Sequence, residues 1–243
     1  HQPVRSTRKP FAPSWKRKTI AYRISARLRT TAAETVEQHK HQASLREILQ
    51  QRLDAFQPRP TTANDHTKAA VALTVIDDQG IASLIVTRRT PKLKSHGGQW
   101  ALPGGRIDPG ETEVEAAKRE MAEEIDLTLP DDALLGCLDP YQTRSGYEIT
   151  PCVFWSDAGP DSLRAAPAEV ESIHTFSFAE LLREDSPNLE KIPESDRDVL
   201  SMNYLDDVIY APTAAMLYQF REVCLRGLNT RVAHYDQPVF AWK

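Results

Sequence analysis

Gly105-Arg-Ile-Asp-Pro-Gly110-Glu111-Thr-Glu-Val-Glu115-Ala-Ala-Lys-Arg119-Glu120-Met-Ala-Glu123-Glu124-Ile-Asp-Leu127 decides how this chain reads. Thr112 followed by Glu115 is a capping box, so a helix should begin at Glu113 and run to about Ile125. At about 100° per residue, Val114, Ala117, Met121 and Ile125 fall on one narrow stripe that must face a core. Glu120, Glu123 and Glu124 form the adjoining stripe, so three carboxylates gather beside the buried face instead of opposite it. Like charges one turn apart destabilise even an exposed helix by roughly 0.2–0.5 kcal/mol per pair, and partial burial raises that penalty. On an arbitrary helix this would be a solvated acidic face. Here Pro103-Gly104-Gly105 and Pro109-Gly110 precede it, so the backbone can turn sharply and approach closely. A hard divalent cation, Mg²⁺ or Mn²⁺, removes the repulsion with oxygen ligands, and Glu120 and Glu124 have the reach to share one. Arg119 lies beside them, to be oriented by Glu111 or by Glu115.

Before this helix, Ala69–Ile76 and Ile81–Thr87 are β-branched runs around Asp77-Asp78-Gln79-Gly80, which predicts a hairpin. After it, Leu134–Leu138, Tyr147–Trp155 and Ile173–Phe178 read as strands, and Thr213–Arg226 as a last helix. Ser44-Leu-Arg-Glu47 has the form of a second capping box, opening a helix that runs to about Phe56 before Pro58 and Pro60. Strands, a helix, then more strands predict an α+β fold, a mixed sheet with helices on its faces.

The chain has 243 residues and a formal charge of −4, which hides an asymmetry. Residues 1–33 carry nine Lys/Arg and no acid, leaving 21 basic against 34 acidic residues in the remainder. Residues 1–43 lack apolar periodicity and are expected to be a disordered basic head, with residues 44–243 as one domain. A nucleic-acid-binding arm and an Arg-rich transit peptide both fit the head's composition. The chain begins at His1 and its first methionine is Met121, so a fragment end, a processed end or an extended reading frame is the plainer expectation. No apolar run approaches the roughly 20 residues of a membrane-spanning helix. Cys137, Cys152 and Cys224 are widely spaced, which excludes a disulfide scaffold and a thiolate zinc site, and a reducing cytoplasm is the default compartment, organelles remaining open.

Gly105, Glu111 and Arg119-Glu120-Met121-x-Glu123-Glu124-x-x-Leu127 resemble the Nudix box of hydrolases that cleave a diphosphate linked to another moiety. One position departs from it: Asp126 stands where the family usually has Gly, and Asp tolerates a left-handed helix end better than most residues. Upstream, Thr87-Arg88, Leu93, His96, Gly98-Gln99 and Pro103-Gly104-Gly105 are similar to the segment preceding the box in coenzyme A diphosphatases, with Leu102 in place of the usual Phe. Arg144–Pro151, Pro167–Val170 and Ile209–Ala214 match weaker landmarks of that subfamily.

The resemblance implies a Nudix-type mixed sheet between helices and Mg²⁺- or Mn²⁺-dependent hydrolysis of coenzyme A or acyl-coenzyme A. The products would be 3′,5′-adenosine diphosphate and (acyl-)4′-phosphopantetheine. It assigns the metal to Glu120, Glu123, Glu124 and the Gly104 carbonyl, and catalysis to Glu123, Glu120 and Arg119. The general base would be Glu123 or Glu120, with Glu169 in reserve. Arg88, Arg89, Lys92 and Lys94 would form a basic wall opposite the acidic helix, and with His96, Gly104 and Gly105 would bind phosphates. An ordinary charged strand end is the alternative for those cations. Trp100 and Tyr147 either stack on adenine or belong to the core, core being the plainer reading. The expected partner is a small diphosphate compound of the coenzyme A type, with no membrane or nucleic acid and a homodimer left open. Two other functions compete: a Nudix hydrolase for ADP-ribose or a dinucleotide, and a non-catalytic sensor or nucleic-acid binder.

Overall fold

The hairpin forms as expected from β1 (Thr67–Asp78) and β2 (Ile81–Arg89). Gln79 and Gly80 both take positive φ, 55° and 87°, as a two-residue hairpin turn demands, and Asp77 accepts a hydrogen bond from the Gly80 amide. The computed structural model describes residues 39–61, 65–93 and 97–242. The head up to residue 38, together with Lys94 and His96, lies outside them.

Only the turn ends of the two strands pair: Val75–Asp78 of β1 meet Ile81–Leu84 of β2, after which the strands diverge. The chain returns to fill the gap. Strand β3 (Trp100–Ala101) pairs with the far end of β2, at Thr87 and Arg88, and β4 (Gly104–Arg106) pairs with the start of β1, at Ala69–Val71. The glycine loop is therefore held between two strand ends, and the helix α2 (Glu113–Ile125) leaves directly from it. On the other side of β1, the parallel strand β7 (Tyr147–Trp155) pairs over nine positions and carries β5 (Leu134–Cys137), at the sheet edge, and the short β6 (Tyr141–Gln142). Strand β8 (Val170–Ser177) adds to β2, completing a mixed sheet.

Strand alternation sends β1 residues to two cores. Val71, Leu73 and Val75 pack with α1 (Ala43–Ala55) and α3 (Thr213–Phe220), whereas Ala70, Ala72 and Ile76 pack with Ala116, Ala117, Met121 and Ile125 of α2. This is the mixed sheet between helices that the sequence implied.

Several boundaries differ from expectation. Helix α1 starts at Ala43 with Gln42 as its N-cap and no side-chain cap, so the Ser44–Glu47 capping box does not form. The cause lies just before it: Lys40 bridges to Ile81, the His41 amide donates to the Gly80 carbonyl, and His41 stacks on Trp155 at 4.0 Å. Pairing with the hairpin sets where the chain enters the helix. The last helix keeps α-geometry to Phe220 and widens into a π turn at Arg221–Leu225. A second sheet of β9 (Asn188–Ile192), β10 (Ser195–Tyr204) and β11 (Asp207–Tyr210) is new relative to the sequence reading.

The docking of residues 39–41 has a measurable consequence. A chain truncated to begin at Ser44 should melt a few degrees below one beginning at His39, because it loses the Trp155 stack and an edge pairing worth roughly 1–2 kcal/mol together. Equal midpoints in a thermal scan would show that the pairing adds nothing.

Asp236 contributes stability through its ionised carboxylate. Burial pushes its carboxyl up, but donors from Arg144 (2.5 and 3.1 Å), Ser195 (2.7 Å) and the Gln237 amide (2.8 Å) outweigh this and hold it at about 2. A depressed carboxyl contributes stability that is complete above the unfolded value near 3.8 and is lost as pH falls through about 2. Asp236→Asn should cost roughly 2 kcal/mol at neutral pH and flatten the acid limb of the melting profile between those values. An unchanged acid limb would show that Asp236 does not control it.

Candidate active site

The capping box at the start of α2 forms: the Glu115 amide donates to Thr112 Oγ1 (3.2 Å), and Glu115 Oε2 accepts from the Thr112 amide (2.8 Å). Asp126 ends the helix in the left-handed region at φ 58°, the conformation the usual Gly would supply. The helix is thus fixed at both ends, and its carboxylates are set relative to the loop.

Glu111 captures Arg119 with both oxygens, at 2.9 and 3.1 Å, while Glu115 is occupied by the cap. Arg119 then donates to Glu120 Oε1 (2.8 Å), to Glu123 Oε2 (3.1 Å) and to the Arg106 carbonyl (3.0 Å). These hydrogen bonds raise the Arg119 pKa further, so it is a permanent cation joining helix to loop.

The three carboxylates differ in burial. The Glu124 side chain is 3% exposed, Glu120 13% and Glu123 61%. Burial pushes the Glu124 carboxyl up to about 8; Arg89, with Nη1 at 3.9 Å, and a backbone hydrogen bond from Gly104 oppose it, while Glu120 and Glu169 reinforce it. Burial likewise raises Glu120, against the Arg119 hydrogen bond. A shift of that size on Glu124 costs on the order of 5 kcal/mol. Burying Met121 and Ile125 on the same helix returns about 3–6 kcal/mol, so α2 can dock while carrying one destabilised carboxylate.

Two glycines make the approach. A Cβ at Gly105 would stand 2.1 Å from Glu120 Oε1, and one at Gly104 would stand 2.3 Å from the Ala70 carbonyl of β1. Gly105→Ala should therefore displace Glu120 and lower turnover at least tenfold with the fold intact. Gly104→Ala should instead lower the melting midpoint by forcing β4 off β1. If the two variants behave alike in both assays, the glycines do not have separate roles.

Among the described residues, no three His, Cys, Asp or Glu side chains already converge as a metal cluster. Arg119 and Arg89 stand against the carboxylates instead, as expected where mutually repelling groups relax onto the available cations. The donor set nevertheless suits a hard divalent ion: oxygens only, two of them on largely buried carboxylates whose charged form burial disfavours.

The basic wall divides. Alternation along β2 sends Arg89 to the α2 face and Arg88 to the opposite face, where its Nη1 pairs with Asp207 Oδ2 at 2.6 Å and its guanidinium stacks over Trp100 at 4.9 Å. Lys92 is exposed, and Lys94 and His96 fall outside the described residues. Trp100 is half-buried, packs on Tyr204 and His174, and donates to Asp207 Oδ2 at 2.9 Å. Tyr147 is not a core residue: its hydroxyl accepts from Arg106 (2.6 Å) beside the glycine loop. Glu169 is exposed and lies near enough to raise both Glu120 and Glu124. Asp207 and Arg106 were not anticipated. Nothing local marks Asp207, which meets Arg88 across 119 positions, whereas Arg106 follows Gly105 directly.

A family model described as the NUDIX domain matches residues 65–200. The chain is similar to the uncharacterized Nudix hydrolase NudL of Photorhabdus laumondii, 32% identical over 168 residues that cover 68% of this chain and 89% of that protein. It is also similar to Nudix hydrolase 3 of Caenorhabditis elegans, 33% identical over 130 residues that cover 52% of this chain and 54% of the relative. Among solved structures, a MutT/nudix family protein from Enterococcus faecalis overlaps 74% of this chain and 63% of its own at 19% identity and a TM-score of 0.40. With the family model spanning more than half of its length, and with the glycine loop and carboxylate helix set as described, the chain belongs to the Nudix hydrolase family.

Proposed function

We propose that this Nudix hydrolase cleaves the diphosphate bond of coenzyme A or acyl-coenzyme A, releasing 3′,5′-adenosine diphosphate and (acyl-)4′-phosphopantetheine. One observation supports this reading: the described residues of Leu84–Gly105, the segment that resembles the coenzyme A diphosphatases, lie along β2 and β3 and end with Gly105 against Glu120. The described part of that segment is thus adjacent to the box, as a substrate-selecting segment would need to be.

In this reading Glu120 and Glu124, with Glu123 and the Gly104 carbonyl, hold Mg²⁺ or Mn²⁺. When bound, the cation neutralises the diphosphate and lowers the pKa of water beside it. Arg119, fixed by Glu111, keeps Glu120 and Glu123 oriented. Arg89 adds a positive charge on the carboxylate side, suited to the diphosphate. Glu123 is exposed and Glu120 half-buried, so either can take a proton from water at the site, with Glu169 as the reserve. A cavity of about 180 Å³ beyond the β2 end, lined by Arg88, Trp100, Asp207, Tyr210 and Phe240, is the seat we propose for the 3′-phosphate end of the substrate. Among the described residues no helix is long and apolar enough to cross a membrane.

The test is the rate on coenzyme A, its 3′-dephospho form, ADP-ribose and a dinucleoside polyphosphate, each with Mg²⁺. Coenzyme A should give the highest kcat/KM. A higher value for ADP-ribose or the dinucleotide would replace this reading with one of a different Nudix substrate.

A further inference from the structure

The fold brings together two cysteines that the sequence keeps apart. Cys137 on the edge strand β5 and Cys152 on β7 are direct ladder partners, and their sulfurs lie 3.5 Å apart. On the next rung the Leu138 amide donates to the Pro151 carbonyl at 2.9 Å, so the cysteines occupy a rung without ladder hydrogen bonds. On such rungs the Cα atoms approach to about 4.5 Å. A disulfide spans Cα separations of about 4.4–6.8 Å, so the backbone is already in place and only the side chains need to turn.

The two thiols are not equivalent. Cys152 is fully buried beneath α2, in the same core as Ala117, Met121 and Ile125, whereas Cys137 is partly exposed at the sheet edge. Hydrogen bonding with Cys152 lowers the Cys137 pKa, and the same contact together with burial raises that of Cys152. Cys224 is buried in the other core, on the far side of the sheet, and cannot compete for either partner.

We infer that Cys137 and Cys152 form an oxidation site that closes to an intramolecular disulfide by exchange with a small-molecule disulfide. The Cys137 thiolate attacks one sulfur of that compound, forming a mixed disulfide and expelling the first thiolate. Cys152 then attacks the Cys137 sulfur, expels the second thiolate and gives up its proton to it. Two protein thiols are oxidised and one disulfide is reduced to two thiols, so atoms and electrons balance. The product ties the edge strand to β7 directly under the helix that carries Glu120 and Glu124. The inference does not depend on the identity of the diphosphate substrate.

The experiment exposes the full chain to glutathione disulfide, blocks the remaining thiols by alkylation under denaturing conditions, and reads intact mass and proteolytic peptides. The wild type should lose two hydrogens, yield a peptide linked between Cys137 and Cys152, alkylate at Cys224 alone, and return to three thiols on reduction. Cys152→Ala should hold one glutathione on Cys137, and Cys137→Ala should leave Cys152 reduced. Three alkylated thiols in the treated wild type would overturn the inference, as would stable glutathione on Cys137 without closure or a link involving Cys224. The wild-type peptides decide the matter even where a variant folds poorly.

Discussion

Glu124→Gln is expected to lower turnover at least a hundredfold while leaving the metal-free protein as stable as the wild type or more so. The activity loss follows from removing the most buried of the three carboxylates proposed to hold the cation, whose charge stabilisation is worth several kcal/mol in such sites. The stability gain follows from linkage. The folded protein holds the Glu124 proton up to about pH 8, whereas the unfolded chain releases it near 4.5. Between those values the folded state binds the extra proton, so the stability of the metal-free protein falls as pH rises, and Gln removes that dependence. A gain of roughly 1–3 kcal/mol at neutral pH is expected, reduced by the burial of an amide with N–H groups left to satisfy. Turnover with Mg²⁺ and melting in chelator are the two measurements. Near-normal turnover would show that Glu124 does not hold the ion, and a lower melting midpoint would show that it is chiefly a partner for Arg89.

Arg88 and Arg89, neighbours in sequence, should give different kinetic signatures. Arg89 lies on the carboxylate side, where every diphosphate substrate presents the same group, so Arg89→Ala should lower kcat/KM for coenzyme A and ADP-ribose in parallel. Arg88 lies on the other face beside the aromatic cavity. Its pair with Asp207 is a third to a half exposed and therefore worth at most about 1 kcal/mol, whereas a charge-assisted contact to a phosphate is worth roughly 1.5–3 kcal/mol. The 3′-phosphate of coenzyme A can thus displace Asp207. Wild type should favour coenzyme A over its 3′-dephospho form by about ten- to a hundredfold, and Arg88→Ala should narrow that ratio. Parallel losses in both variants would remove Arg88 from substrate selection.

Much of this architecture was legible because its signals are local. Thr112 and Glu115 fixed the start of α2, Gln79-Gly80 fixed the hairpin turn, and Asp126 at φ 58° answered the one departure from the box. The second sheet gave no such signal: β9 is exposed along nearly its whole length, and β10 opens on Ser-Asp-Arg-Asp, so neither begins with an alternation of apolar and polar residues. The Ser44 capping box failed for a complementary reason, because His39–His41 pair with the hairpin, a contact remote in sequence. The same limit explains the site. The carboxylates and glycines lie within 20 residues and could be read together, but the assignment of Arg88 and Arg89 to opposite faces depended on the strand's register, and Asp207 on a strand that the sequence did not announce.

Hydrolysis of the coenzyme A diphosphate with a divalent cation at the α2 carboxylates is the proposed activity. The most direct measurement is mass identification of the products formed from coenzyme A by the full chain, with Mg²⁺ and with chelator. Equal amounts of 3′,5′-adenosine diphosphate and 4′-phosphopantetheine are expected with Mg²⁺, and intact coenzyme A with chelator. Intact coenzyme A in the presence of Mg²⁺, under conditions where ADP-ribose or a dinucleotide is cleaved, would contradict it.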